Sequence, residues 1–186
     1  SGKKTKVEIF VSSLCVSQMV FATAVKSQTM PDWIEANTRA LEYYGGSSER
    51  VVPDNLKSAV IKPRHGSEDA ILNRAYKSFG DHYGILIMPA RSGRPQDKAL
   101  AEIGVRIVNM SIIAPLRKRT FYSLDELNEE ILARINRINN RYSPKLKAVR
   151  RQLFNEAERF ALTPLPIDRH VFTEWRVGIR VPKDYH

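Results

Sequence analysis

The stretch RVVPDN, residues 50–55, decides the fold, because its two valines predict a short buried strand that a proline ends. Asp54 follows at the carboxyl end of that strand. Further along, residues 68–83 have a helical pattern, residues 85–88 (ILIM) predict a second strand, and residues 95–114 predict another helix. The order strand, helix, strand, helix predicts parallel pairing through helical crossovers, and therefore an α/β fold.

Upstream of this unit, an antiparallel hairpin is predicted by two runs of β-branched and aromatic residues, 7–16 and 20–26. Residues 31–44 then predict a helix, because a proline stands in the first turn and Gly45-Gly46 follows the last one. We expect one face of this helix to be buried in the core. The residues on that face are Trp33, Asn37, Leu41 and Tyr44.

Downstream, apolar residues within 95–114 recur at steps of three and four and predict the side of that helix that faces the core. This stripe consists of Leu100, Ile103, Ile107, Met110 and Ala114. Pro115 is expected to end or kink the helix. Ser123 and Glu126 form a capping box that predicts a further helix, and a last helix of the core is predicted near 146–158.

The sequence pattern changes after Leu162, where Pro164 and Pro166 predict a stiff linker. The residues that follow alternate between apolar and other side chains, as a strand does, but such a stretch is not stable alone. We therefore predict a core over residues 1–160 and, over residues 161–186, a linker and the beginning of a β module.

The 186 residues carry a formal net charge of +10, which favours a polyanionic partner, since each Lys or Arg that neutralises a phosphate releases counterions. A solvated basic surface is the alternative. Cys15 is the only cysteine and lies in an apolar run, which predicts a buried, reduced thiol. Such a thiol suits a cytoplasmic protein. No apolar run is long enough to span a bilayer, so we also predict a soluble protein.

Two carboxylates are candidates for shared chemistry. Glu102 falls on the flank of the apolar stripe of its helix, and Asp54 lies at a strand end, the edge where open α/β sheets bind ligands. Mg²⁺ takes oxygen ligands, and two such ions about 4 Å apart would activate a water or a 3′-hydroxyl. Alternatively, Asp54 caps the turn Asn55–Lys57. Glu102 could equally pair with Lys98 or Arg106 on its own helix.

Three strings, in this order, resemble the catalytic domain of the IstA-type transposases: SQTMPDWIEANTRALEYYGGSSERVVPDNLKSAV, DHYGILIMPARSGRPQDKALAEIGV and FYSLDELNEEI. Those proteins are DDE enzymes of bacterial insertion sequences, and they work with a helper AAA+ ATPase. The resemblance extends from about Val7 to His186. It implies an RNase H-like mixed sheet flanked by helices.

The resemblance implies that Asp54 is the second catalytic acid and Glu102 the third. Both would bind Mg²⁺ or Mn²⁺, in a two-metal site when the first aspartate is present. In the family the first acid lies on a strand before the hairpin, and this chain is expected to begin too late to contain it. Glu8 lies on the wrong strand for this role. The chain alone is therefore expected to be inactive, and its tail after Leu162 to lead into a small β-barrel.

The resemblance also implies three partners: DNA, as transposon ends and as target, the helper ATPase, and further copies of the chain assembled on DNA. Lys98 lies one helical turn before Glu102 and could hold a substrate phosphate near the metals. The other predicted DNA contacts are Asn55, Lys57, Arg91, Arg94, Arg117, Lys118 and Arg119.

The first functional hypothesis is metal-dependent DNA strand cleavage followed by strand transfer during insertion-sequence transposition. The second is a non-catalytic DNA-binding or assembly fragment of a decayed transposase. The third is a structure-specific nuclease on the same fold, which would cut DNA without transferring strands.

Overall fold

The computed structural model describes residues 4–53, 60–62, 71–88 and 95–173. The strands are β1 (Glu8–Ser13), β2 (Val20–Val25), β3 (Arg50–Val51), β4 (Val60–Lys62), β5 (Ile71–Leu72), β6 (Leu86–Ile87), β7 (Tyr142–Ser143) and β8 (Ala148–Val149). The α-helices are α1 (Met30–Tyr44), α2 (Arg74–Tyr83), α3 (Pro95–Val108), α4 (Ala114–Leu116), α5 (Leu124–Asn140) and α6 (Arg150–Leu153). Two π-helical segments, Asn109–Ile113 and Phe154–Glu158, and a 3-10 turn, Arg159–Ala161, complete the helical parts.

Strand pairing confirms both predicted sheet arrangements. The strands β1 and β2 form an antiparallel hairpin. The strands β3 and β6 pair in parallel, with Val51 opposite Ile87. The amide of Met88 donates to the carbonyl of Val51 at 2.9 Å, which continues the parallel ladder by one residue. The chain is therefore a mixed α/β fold in which an antiparallel hairpin and a parallel pair share one protein core.

The two faces of β2 pack against different helices. Its residues Val20, Ala22 and Ala24 contribute to one apolar cluster, with Val108, Ile112, Ile131 and Ile135 from the helices α3 to α5 and the π-helical segment between them. Phe21, on the opposite face, belongs to a second cluster with residues of α1. Because successive side chains of a strand point to opposite faces, the hairpin is covered on both sides.

Helix α1 packs on two elements at once, as its predicted apolar face requires. Ile34 and Leu41 join a cluster with α2 and β6, whereas Tyr44 packs against the hairpin. The ring of Trp33 meets Phe10 edge-on, with the centroids 5.3 Å apart. Leu41 and Tyr44 are buried and Trp33 is partly buried, so their prediction as core residues is confirmed.

Two asparagines of α5 close the outer edge of β2. Asn139 accepts from the amide of Val20 at 3.1 Å and donates to the carbonyl of the same residue at 2.7 Å. Asn128 does the same to Ala24, at 2.6 Å and 3.1 Å. A carboxamide has one acceptor and one donor side, so each asparagine replaces the missing neighbour strand at one residue. The edge strand therefore has fewer free backbone groups.

The predicted capping box begins α5. The hydroxyl of Ser123 accepts from the amide of Glu126 at 3.0 Å, and the carboxylate of Glu126 accepts from the amide of Tyr122 at 2.8 Å. The helix then buries Ile131 and Ile135 against the hairpin, as the sequence predicts.

The predicted core-facing stripe of α3 is wrong in its second half. Met110 is 70% exposed and Ala114 is also exposed, whereas Gly104, Val108 and Ile112 are buried. The prediction assumed that the large apolar side chains face the core, but α3 lies close to β1 at Gly104, its smallest residue. A π-helical segment then carries the helical run on to α4, whose second residue is a proline, so the proline does not end it.

Three further predictions are corrected. The helix predicted over 68–83 begins at Arg74, because Ile71–Leu72 pairs with β4 and Asn73 caps the helix. The predicted helix 146–158 is preceded by an unpredicted hairpin of β7 and β8 and begins only at Arg150. Cys15 is exposed, because β1 ends at Ser13 and the thiol lies in the turn that follows.

Residues 162–173 run back across α1 and α2. Ser47 and Thr163 exchange backbone hydrogen bonds, each at 2.9 Å. The guanidinium of Arg169 pairs with Glu42 at 2.7 Å and with Glu35 at 3.3 Å. The start of the predicted linker is therefore held against the core, and the strand-like segment predicted after it lies largely outside the described residues.

The stability that residues 162–173 contribute by packing on the core should depend on pH, because His170 lies in this segment. Burial, together with the nearby His82, lowers the pKa of His170 from its ordinary value of 6.5. A histidine whose folded pKa is lowered binds fewer protons when folded, so its contribution to stability is complete above pH 6.5 and is lost as the pH falls. We expect the thermal midpoint to fall between pH 7.5 and about 5.5, and to fall less in His170→Asn. An equal drop in both proteins would contradict this assignment.

Candidate catalytic and DNA-binding surface

The parallel strands β3 and β6 end at the same edge of their sheet. The chain leaves β3 through the buried Pro53, and it leaves β6 through Met88. Carboxyl ends of parallel strands meet at the same edge of a sheet, which is where ligands of open α/β sheets bind. The segment after β3 begins with Asp54, and the segment after β6 leads into α3. Several predicted site residues lie outside the described parts of the chain, namely Asp54, Asn55, Lys57, Arg91 and Arg94.

Glu102 lies on the exposed side of α3. Within the described parts of the chain its carboxylate has no hydrogen bond or ion pair, so the alternative pairing with Arg106 does not occur. A shallow surface depression runs beside it, lined by Glu102, Val105, Arg106, Asn109 and Met110. Lys98 lies in the first turns of the same helix, with its side chain outside the described residues. Glu102 is thus an oxygen donor open to solvent.

The position of Glu102 depends on how closely α3 approaches β1. A Cβ atom added at Gly104 would lie 3.2 Å from the hydroxyl oxygen of Ser13 and 3.7 Å from a methyl of Val11. Glycine is the one residue that leaves this space free, and it lies two positions after Glu102. An interior glycine, which costs a helix about 1 kcal/mol relative to alanine, was the only sign of this contact in the sequence, and it was weak.

We expect Gly104→Val to destabilise the protein by about 2 kcal/mol, because the added methyl groups overlap Ser13 and push the helix away from the strand. Thermal unfolding measures this effect. Ala99→Val, at an exposed position of the same helix, is the control for β-branching alone. Equal midpoints in the two variants would show that the close approach contributes nothing.

The three residues of the predicted basic run after α4 differ in their contacts. Arg117, Lys118 and Arg119 are all exposed. Arg119 pairs with Glu130 at 2.9 Å and lies over the ring of Phe121 at 5.0 Å. Hydrogen bonds from Arg134 and Arg119 lower the pKa of Glu130. Part of this cluster is therefore neutralised internally, while Arg117 and Lys118 have no acidic partner within the described ranges.

A second group of cations was not among the predicted DNA contacts. Between Glu130 and Glu156 the chain has seven basic residues and no acidic one. They are Arg134, Arg137, Arg141, Lys145, Lys147, Arg150 and Arg151. The long interval without a carboxylate is the sequence signal that could have identified them.

No group of three His, Cys, Asp or Glu side chains that could hold a metal ion occurs in the described ranges, which exclude Asp54. Glu102 is the candidate ligand within those ranges. The same ranges contain no helix that is both long and apolar enough to cross a membrane.

Curated relatives of the chain are transposases. A transposase of Sinorhizobium fredii strain NGR234 is 42% identical over 179 residues, which is 96% of this chain and 34% of the relative. The transposase of insertion sequence IS408 from Burkholderia multivorans is 39% identical over 188 residues, covering all of this chain and 35% of the relative. The transposase of IS21 from Pseudomonas aeruginosa is 28% identical over 70% of this chain. The chain thus spans about a third of the relatives' length, and no family model matches it.

Solved structures with the same fold are retroviral integrases. The catalytic core domain of BIV integrase covers 83% of the chain with a TM-score of 0.61 and 13% identity. The HTLV-2 integrase catalytic core in complex with magnesium covers 82% with a TM-score of 0.59 and 18% identity. At such identities the likeness establishes the fold, which is RNase H-like, as the resemblance to the IstA-type transposases implied. The chain is therefore similar, over nearly all of its residues, to about a third of the length of insertion-sequence transposases, and it has the fold of an integrase catalytic core.

Proposed function

We propose that the chain forms most of the catalytic core of a DDE transposase, which cleaves DNA strands at transposon ends and transfers them to target DNA. The observation that carries this proposal is the exposed Glu102, which has no ion pair among the described residues, on the helix that follows β6. The parallel partner of β6 is β3, and Asp54 follows β3 in the sequence. Similarity to insertion-sequence transposases over the full chain supports the same reaction class.

Asp54 and Glu102 are the proposed ligands of Mg²⁺ or Mn²⁺, as the second and third acids of the site. The chemistry of the donors fits, since hard divalent ions take carboxylate oxygens and Glu102 has no ion pair among the described residues. When bound, such ions lower the pKa of an attacking hydroxyl and stabilise the departing oxygen. One of the related integrase cores is described in complex with magnesium.

The basic residues around these acids are proposed to position DNA through its phosphates. Lys98 would hold a phosphate one helical turn from Glu102. Arg117 and Lys118 offer exposed charges without acidic partners in the described ranges, whereas Arg119 is already held by Glu130. The remaining proposed contacts are Asn55, Lys57, Arg91 and Arg94.

The first acid and the remaining partners are also proposals. A strand upstream of β1 would bring the first aspartate, residues 1–160 would form the core, and residues 161–186 would lead into a β module. A helper AAA+ ATPase and further copies of the chain are the proposed protein partners. Self-association is supported by the dimeric and trimeric forms described for the HTLV-2 integrase core.

The test is a DNA cleavage and joining assay with a longer chain that includes the upstream strand. With Mg²⁺ or Mn²⁺ present, we expect nicking at transposon ends and joining of the freed 3′-hydroxyl to target DNA, and no product in EDTA. Nicking without joining would favour a structure-specific nuclease. DNA binding without either reaction would favour the assembly fragment and refute the proposed catalysis.

A further inference from the structure

A short hairpin after α5 presents positive charge that has no acidic partner in the described parts of the chain. The strands β7 and β8 pair with Tyr142 opposite Val149, and the turn between them carries Lys145 and Lys147. Both lysines are exposed. The hydroxyl of Ser143 accepts from the amide of Leu146 at 3.4 Å and helps to hold the turn. The two charges therefore project from a turn with a defined backbone.

Two arginines lie at the base of the same hairpin. Arg141 and Arg150 immediately flank the pair formed by Tyr142 and Val149, where α5 ends and α6 begins. Arg137, one helical turn before Arg141, adds a further exposed cation. The hairpin and the residues at its base thus concentrate positive charge.

The protein offers these cations no counter-charge within the described residues. Arg134 pairs with Glu130 at 2.7 Å, but no ion pair joins an acid to Arg137, Arg141 or Arg150. Arg150 is half-buried, and its Nε atom is buried with no hydrogen-bond partner. Burial lowers the pKa of Arg150, yet a guanidinium remains charged in proteins. A buried donor without an acceptor is costly to the folded chain.

We infer that the hairpin of β7 and β8, with Arg137, Arg141, Lys145, Lys147 and Arg150, is a second DNA-binding surface that contacts backbone phosphates. A duplex provides a row of anionic oxygens that suits exposed lysines at the turn and guanidinium groups at the base. Tyr142 is 57% exposed beside the arginines and can donate its hydroxyl to a phosphate or sugar oxygen. The inference rests on the proposed function, because it assigns this surface to the same DNA.

The test is binding of the 186-residue chain to a random-sequence DNA duplex in EDTA, followed by fluorescence anisotropy over a range of salt concentrations. Lys145→Gln with Lys147→Gln should leave folding intact, because both side chains are exposed. If each lysine contacts a phosphate, the slope of the logarithm of the association constant against the logarithm of the salt concentration should become shallower by about 1.8. The affinity for DNA should fall at least about tenfold near 0.1 M salt.

The matched control removes the same charge elsewhere. Arg39→Gln with Lys77→Gln deletes two cations that pair with Glu35 at 2.8 Å and Asp81 at 2.9 Å. We expect this protein to keep nearly the slope of the wild type. Equal slopes and affinities in the two double variants would overturn the hairpin assignment, as would salt-independent binding of the wild type. Neither result touches the proposed catalysis, which is measured separately by metal-dependent strand cleavage.

Discussion

Replacing Glu102 with glutamine in the longer, active chain is expected to lower metal-dependent DNA cleavage and joining by about 1,000-fold or more. Glutamine keeps the size of the side chain but removes the negative charge that a hard divalent ion requires. A bound metal supplies several kcal/mol of transition-state stabilisation, and each 1.36 kcal/mol corresponds to a tenfold change in rate. The measurement is the single-turnover rate of strand joining in Mg²⁺.

The control for this change is Glu129→Gln, which alters an exposed glutamate on α5 and should leave the rate unchanged. DNA binding in EDTA should be equal in wild type, Glu102→Gln and Glu129→Gln. The exposed position of Glu102 predicts that the fold tolerates the substitution. A rate within tenfold of wild type would refute the catalytic assignment, and a parallel loss of DNA binding would favour the non-catalytic hypothesis.

Replacing Asn139 with leucine is expected to lower the free energy of unfolding by about 4 kcal/mol. Asn139 is fully buried, and its side chain bonds both backbone groups of Val20 and the hydroxyl of Tyr43. Leucine has a similar size but leaves the amide and the carbonyl of Val20 without partners, at about 1–3 kcal/mol each. For a chain of this length we expect the thermal midpoint to fall by roughly 8–16 °C.

Asn140→Leu is the matched control, because the neighbouring asparagine is exposed and has no hydrogen bond through its side chain in the described ranges. Its midpoint should change by only a few degrees. If the two variants unfold at the same temperature, the asparagine contacts do not stabilise the edge of β2. If Asn139→Leu aggregates no more than the wild type, the asparagines do not protect the edge of β2 from aggregation.

Several elements were predictable because their signals are local. The runs before and after Ser17-Gln18-Met19 form the predicted hairpin, and Gly45 ends α1 with a positive φ of 78°. Ser123 caps α5 through its own hydroxyl. In each case residues within a few positions of one another determine the conformation, so the sequence pattern and the structure agree.

Other features escaped prediction because they depend on contacts between distant segments. The orientation of α3 is set by the space that Gly104 leaves for Ser13, and apolar periodicity placed Met110 in the core instead. Cys15 lies in an apolar run but is exposed, since that run passes from a strand into a turn. The hairpin of β7 and β8 is too short for a strand signal to emerge from its residues.

The sequence by itself determined the first hairpin, the helices α1 and α5 and the excess of positive charge, because composition and short-range periodicity encode these properties. The carboxylates proposed for catalysis came from the resemblance to the IstA-type transposases. Only the tertiary structure decided which cations have no acidic partner among the described residues, which side of α3 presents Glu102 to solvent, and how asparagines close the edge of β2. Pairing and burial depend on distances between residues far apart in the chain, and those distances exist only after the core has packed.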